Sequence, residues 1–139
     1  MPKHYTQHLT RIAAVLSLST PMEQSSWAPN TDVYETPQHL IVKMELAGVR
    51  KDDLEITLQD RLLVVRGYRK DTCPHRKGPC SFRQMEIDYG YFERRILMST
   101  LVDATYAQAQ FNNGFLHIEL PKTTRPTPSA VTIVIEQIS

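Results

Sequence analysis

Between residues 30 and 122 apolar residues recur at every second position, a period that constrains the fold more than any other feature. Leu40, Val42, Met44 and Leu46 alternate with Ile41, Lys43 and Glu45. Leu54, Ile56 and Leu58 alternate with Glu55, Thr57 and Gln59, and Leu62 to Val65 is a continuous apolar run that Gly67 is expected to interrupt. Phe92, Arg94, Ile96 and Met98 share one face, with Glu93, Arg95 and Leu97 on the other. Ala107, Ala109 and Phe111 alternate with Gln108 and Gln110; Leu116, Ile118 and Leu120 alternate with Phe115, His117 and Glu119. Such short strands, regularly spaced with turn residues between them, predict an all-β, immunoglobulin-like antiparallel sandwich. Asn113-Gly114 between two runs predicts a tight hairpin, because primed turns need positive φ. Arg50-Lys51-Asp52-Asp53 marks a polar connection. Pro121 ends the last strand, having no N–H to give a ladder.

The flanks read differently. In residues 4–18, Leu9, Ile12, Ala13 and Leu16 fall at i, i+3, i+4 and i+7, the stripe of a short amphipathic helix that Thr20-Pro21 ends. That helix is either a packing element of the same domain or a sticky segment for self-association or client contact. At the other end, residues 123–129 form a Pro/Thr linker, extended and poor in packing groups. It leads to Val131-Thr132-Ile133-Val134-Ile135, a strand-forming segment that needs a sheet edge to receive it. The expected division is an N-terminal segment, 1–28, a sandwich domain, 29–122, and a C-terminal extension, 123–139.

A chain of 139 residues accommodates one domain with tails and a real core, without disulfide staples or structural metal. A net charge of +1 gives no electrostatic case for nucleic acid or an anionic membrane. No apolar run approaches the roughly 18 residues of a membrane span. The run Ile12–Leu18 after Lys3 is at the lower limit for a signal peptide, and no A-x-A-like site follows it. Two cysteines do not make an extracellular disulfide framework, so a cytoplasmic location is expected.

Several stretches together resemble the small heat shock proteins, the Hsp20 or α-crystallin-domain family. Ala109-Gln110-Phe111-Asn112-Asn113-Gly114-Phe115-Leu116 fits the family's A-x-x-x-n-G-v-L pattern, and Ile118-Glu119-Leu120-Pro121-Lys122 follows it. Leu46 to Leu54 is similar to the segment after the third family strand, with Ala47 where proline is usual. Leu63-Val64-Val65-Arg66-Gly67-Tyr68-Arg69 looks like L-x-I-x-G-x-R, and Gly90-Tyr91-Phe92-Glu93-Arg94 looks like G-x-F-x-R. Ile133-Val134-Ile135 fits the C-terminal I-x-I motif. The chain departs from the pattern at Ile87, where arginine usually follows the loop glutamate, and at Met98-Ser99, where Leu-Pro is usual.

The resemblance implies an ATP-independent chaperone, a holdase for unfolding clients that builds homo-oligomers from dimers and also meets other small heat shock proteins. It implies that Ile133 and Ile135 cap a neighbour's groove lined by Ile56, Leu58, Ala109 and Phe111, between the Leu54–Gln59 and Ala107–Phe111 strands. These four residues also suit a plain core. It implies further that a strand near Phe82–Asp88 is exchanged between partners, with Met85, Glu86 and Arg94 in the dimer contact. A long segment with no other role is uncommon inside a compact domain, and exchange gives this one a role. Arg94 reads alternatively as a solvated strand-face charge.

Enzyme motifs are absent: no P-loop, dinucleotide fingerprint, G-x-S-x-G elbow or H-E-x-x-H. No catalytic residue, cofactor site or metal site is assigned. Cys73, His75 and Cys80 would give zinc three ligands, but a closed structural site takes four. Arg76 and Lys77 would favour thiolate and a redox switch, whereas cytosolic thiols stay reduced by default. A dimeric CS/p23-like co-chaperone or scaffold module is the alternative function, and the I-x-I tail speaks against it.

Overall fold

A computed structural model of the chain describes residues 27–75, 78–125 and 130–138. The helix expected over residues 4–18 lies outside the described residues. Two sheets pack face to face. One has the order β1 (Thr31–Glu35), β2 (His39–Glu45), β7 (Phe115–Pro121), β6 (Gln108–Asn112), β9 (Ile135–Gln137). The other runs β5 (Gly90–Leu97), β4 (Leu62–Arg69), β3 (Leu54–Gln59), β8 (Val131–Thr132).

The alternating residues are what bring the sheets together. Val42 and Met44 on β2, Ile56 on β3, Leu63 and Val65 on β4, and Leu116 and Ile118 on β7 are fully buried in one contiguous cluster. Their period of two places all of them on inner faces, as aligned sandwiches require. The β6–β7 hairpin turns at Asn113 and Gly114, with φ of 52° and 80°, the paired positive values of a type I′ turn. The Leu46 N–H then donates to the Gly114 carbonyl at 2.7 Å, locking the hairpin to the end of β2. Residues Lys51–Asp53 form a single 3₁₀ turn in the polar connection between the sheets.

Two local expectations are corrected. Gly67 does not interrupt its strand: β4 runs through it to Arg69, with Gly67 paired opposite Phe92. Nor is the C-terminal segment one strand. It divides at Ile133–Val134 into β8 on one sheet and β9 on the other. Among the described strands the ladders are antiparallel except between β6 and β9, which run parallel; an isolated bridge between Trp27 and Phe92 is also parallel.

Candidate functional site

In their respective sheets the strands β3 and β6 are the ones next to the two C-terminal strands, β8 and β9, so the edges they present to the C-terminal segment face a common groove. Ile56 and Leu58 come from β3, and Ala109 and Phe111 from β6. All four are buried. The C-terminal segment occupies the groove of its own chain and treats each edge in turn. On β3, Val131 and Thr132 pair with Leu58 and Thr57, and the Ile133 N–H donates to the Ile56 carbonyl at 2.9 Å. On β6, Ile135, Glu136 and Gln137 pair with Ala109, Gln110 and Phe111. The Ile138 N–H and the Gln137 amide both donate to the Phe111 carbonyl, at 2.9 and 3.1 Å.

Ile133 and Ile135 are 5% and 6% exposed, whereas Val134 between them is 82% exposed. The two isoleucines therefore enter the groove from one face of the chain, each beside a different sheet. Small Ala109 directly opposite Ile135 leaves room for the larger side chain. All six residues belong to the cluster that forms the sandwich core. The distinction between groove and core is thus a matter of whether the tail is in place.

On the opposite side, β1 and β5 end their sheets with no further strand among the described residues. The β1 edge is mostly exposed, with Val33 and Tyr34 about half accessible. The described parts of segment 70–89, between β4 and β5, carry no ladder of their own. Phe82, Met85 and Ile87 along it are exposed. The Gln84 amide donates to the Glu86 carboxylate nearby. Glu86 and Arg94 form no ion pair among the described residues. Arg94 sits on β5 opposite Val65, its Nε buried without a hydrogen-bond partner among the described residues.

Two arrangements escaped the sequence reading. Glu93 is almost fully buried, flanked by Arg66 Nε at 2.8 Å and Arg95 Nε at 2.6 Å. Desolvation pushes the Arg95 guanidinium pKa down and the Glu93 charge pulls it back. Arg69 closes the second arrangement, donating to the Asp88 and Ala47 carbonyls beneath the ring of Trp27. In the first, Arg95 shares the face of β5 with Glu93, but Arg66 comes from the neighbouring strand β4, and in the second the partners come from strands and loops far apart along the chain.

The described residues hold no cluster of three or more His, Cys, Asp and Glu able to take a metal ion. Cys73 and Cys80 are free thiols, the first half-buried and the second exposed. No described helix is long and apolar enough to cross a membrane.

Comparison with known proteins returns a consistent set. The family model described as Hsp20/alpha crystallin family matches residues 32–136. Small heat shock protein C2 of Rickettsia felis is 29% identical over 94 residues, 68% of this chain and 60% of that protein, so the match spans less than two thirds of the relative. Among solved structures, heat shock protein 16.0 from Schizosaccharomyces pombe is 30% identical with a TM-score of 0.64, over 70% of this chain and 88% of that one. A small heat-shock protein from Xylella fastidiosa, described as having a distinct high order structure, is 29% identical with a TM-score of 0.61. That likeness covers 74% of this chain and 93% of the other.

Proposed function

The chain belongs to the Hsp20/alpha crystallin family, and on that premise we propose that it is an ATP-independent holdase, which binds unfolding proteins and keeps them from aggregating. The observation that carries this reading is the groove of Ile56, Leu58, Ala109 and Phe111, closed by a short segment joined to the sandwich through a linker. A sheet edge beside apolar pockets takes an extended peptide by strand addition, the main chain giving affinity and alternate side chains giving selectivity. An unfolding protein presents such peptides. Tail and client then compete for one edge, a competition that needs no nucleotide and no catalysis.

Assembly uses the same physics. The strand near Phe82–Asp88 crosses to a partner's sheet, with Met85, Glu86 and Arg94 at the dimer contact. The Ile133/Ile135 tail moves from its own groove to a neighbour's and so links dimers into a homo-oligomer. Contacts made within a chain and between chains are then the same, as in domain swapping. The distinct high order structure of the Xylella fastidiosa relative fits this reading. Other small heat shock proteins are further partners; nucleic acid and membrane are not, and the setting is cytoplasmic.

Light scattering of a heat-labile client, heated with an equimolar amount of this chain, tests the proposal. Suppression of turbidity to the same extent with and without ATP is expected. Strict dependence on ATP, or no suppression across the working temperature range, would sink it.

A further inference from the structure

Arg69 and Gly90 face each other in register as the last residue of β4 and the first of β5. Segment 70–89 therefore leaves the sheet and returns to it at one point. What holds that point is polar. Arg69 Nε donates to the Asp88 carbonyl at 2.8 Å, and its Nη1 donates to the Ala47 carbonyl at 3.0 Å. The guanidinium carbon lies 4.0 Å from the centre of the Trp27 ring and 5.9 Å from that of Tyr89. Trp27 is itself fixed: its Nε1–H donates to the Gly90 carbonyl at 2.9 Å and its ring meets Phe92 edge-on at 5.2 Å. Beside these contacts lies an open cleft of about 640 Å³, lined among others by Lys70, Glu86 and Ile87. Arg69 and Trp27 thus tie the loop root to the sheet beside an open cleft, Arg69 reaching the loop side through the Asp88 carbonyl and Trp27 the strand side through the Gly90 carbonyl.

We propose that Arg69 is a positioning residue: clamped beneath Trp27, it sets the angle at which segment 70–89 leaves the sheet and couples that angle to the chain entering at Trp27. A guanidinium suits the task, because its planar fork reaches two carbonyls while its face stacks on an indole. Lysine offers a point charge with neither fork nor plane. Water from the open cleft can satisfy Asp88 and Ala47 once Arg69 is replaced, so the sandwich survives and only the root is released. The effect on dimerisation rests on the loop-exchange reading above; the clamp itself does not.

The test uses the full chain with Arg69→Met, which keeps the stem and removes the donors, and Arg69→Lys. Trp27 is the sole tryptophan, so intrinsic emission reports on the clamp directly. In Arg69→Met the emission is expected to move to longer wavelength and amide exchange over residues 86–90 to quicken at least about tenfold, the loss of one charge-assisted hydrogen bond. Dimer dissociation, followed by analytical ultracentrifugation, should rise by a similar factor. Arg69→Lys should recover less than half of each effect. Wild-type emission and exchange in Arg69→Met would overturn the proposal. Altered emission and exchange with an unchanged dimer would support the clamp and overturn loop exchange. If Arg69→Met fails to fold, Trp27→Phe, which removes the bond to Gly90, must quicken exchange over residues 86–90; unchanged exchange there would overturn the proposal.

Discussion

A methyl group at Gly67 would stand 2.5 Å from two ring carbons of Phe92 and 2.9 Å from the Asp53 carbonyl oxygen. The ring cannot swing aside, since Phe92 is buried against Trp27. Two effects oppose each other in Gly67→Ala. Lower entropy of the unfolded chain favours alanine by about 0.4–1 kcal/mol. Overpacking of a filled core costs about 1–3 kcal/mol, so the penalty wins. Gly67→Ala is expected to lower the urea midpoint without changing the slope of the transition, whereas an unchanged or higher midpoint would show that Phe92 yields. A glycine inside a strand pattern reads equally well as a break or as a place of close approach. Only the identity of its cross-strand neighbour decides, and sequence does not supply that. The Trp27–Arg69 contact was illegible for the same reason: its parts are a connector, a strand end and two loop carbonyls, with no common period.

Elements were legible where one face is buried and the other wet. The periods over β2, β3, β6 and β7 correctly located four strands, and Asn113-Gly114 located the hairpin, because turn and strands make mutually consistent demands. The C-terminal tail was legible as strand-forming but not as two strands. Its receiving edges belong to different sheets, so it must leave β3 at Ile133 before it reaches β6 at Ile135. A sequence of alternating apolar residues cannot report a change of partner halfway. The cysteine loop is a separate case. Cys73 and Cys80 are free, and their charged neighbours bear on reactivity rather than on packing. Cys73→Ser with Cys80→Ser is therefore expected to leave assembly size and client protection unchanged under reducing conditions. Metal analysis showing one zinc per chain, lost in the double mutant together with structure, would contradict this.

At the scale of the whole molecule, the assembly proposed above makes the tail the element that decides how many chains stay together. Burying two isoleucines contributes about 3–6 kcal/mol at 1.5–3 kcal/mol each. Ordering the linker and the tail offsets part of that, so one tail contact is weak and reversible. A tail held on its own chain sees its groove at an effective concentration on the order of millimolar. Inside an oligomer the neighbour's groove is presented at a comparable concentration, so capture by either is closely balanced, and many such contacts act together. Ile133→Ala with Ile135→Ala removes most of the apolar contact in both arrangements but leaves the β1–β7 sandwich intact. The double mutant is expected to shrink towards dimers on size-exclusion chromatography while its circular dichroism keeps the parent's β signature. Dilution should shift the parent in the same direction, since only the contacts between chains depend on concentration. A double mutant that elutes with the parent would show that the tail is not the link, and would transfer that role to residues 4–18, the other apolar segment outside the sandwich.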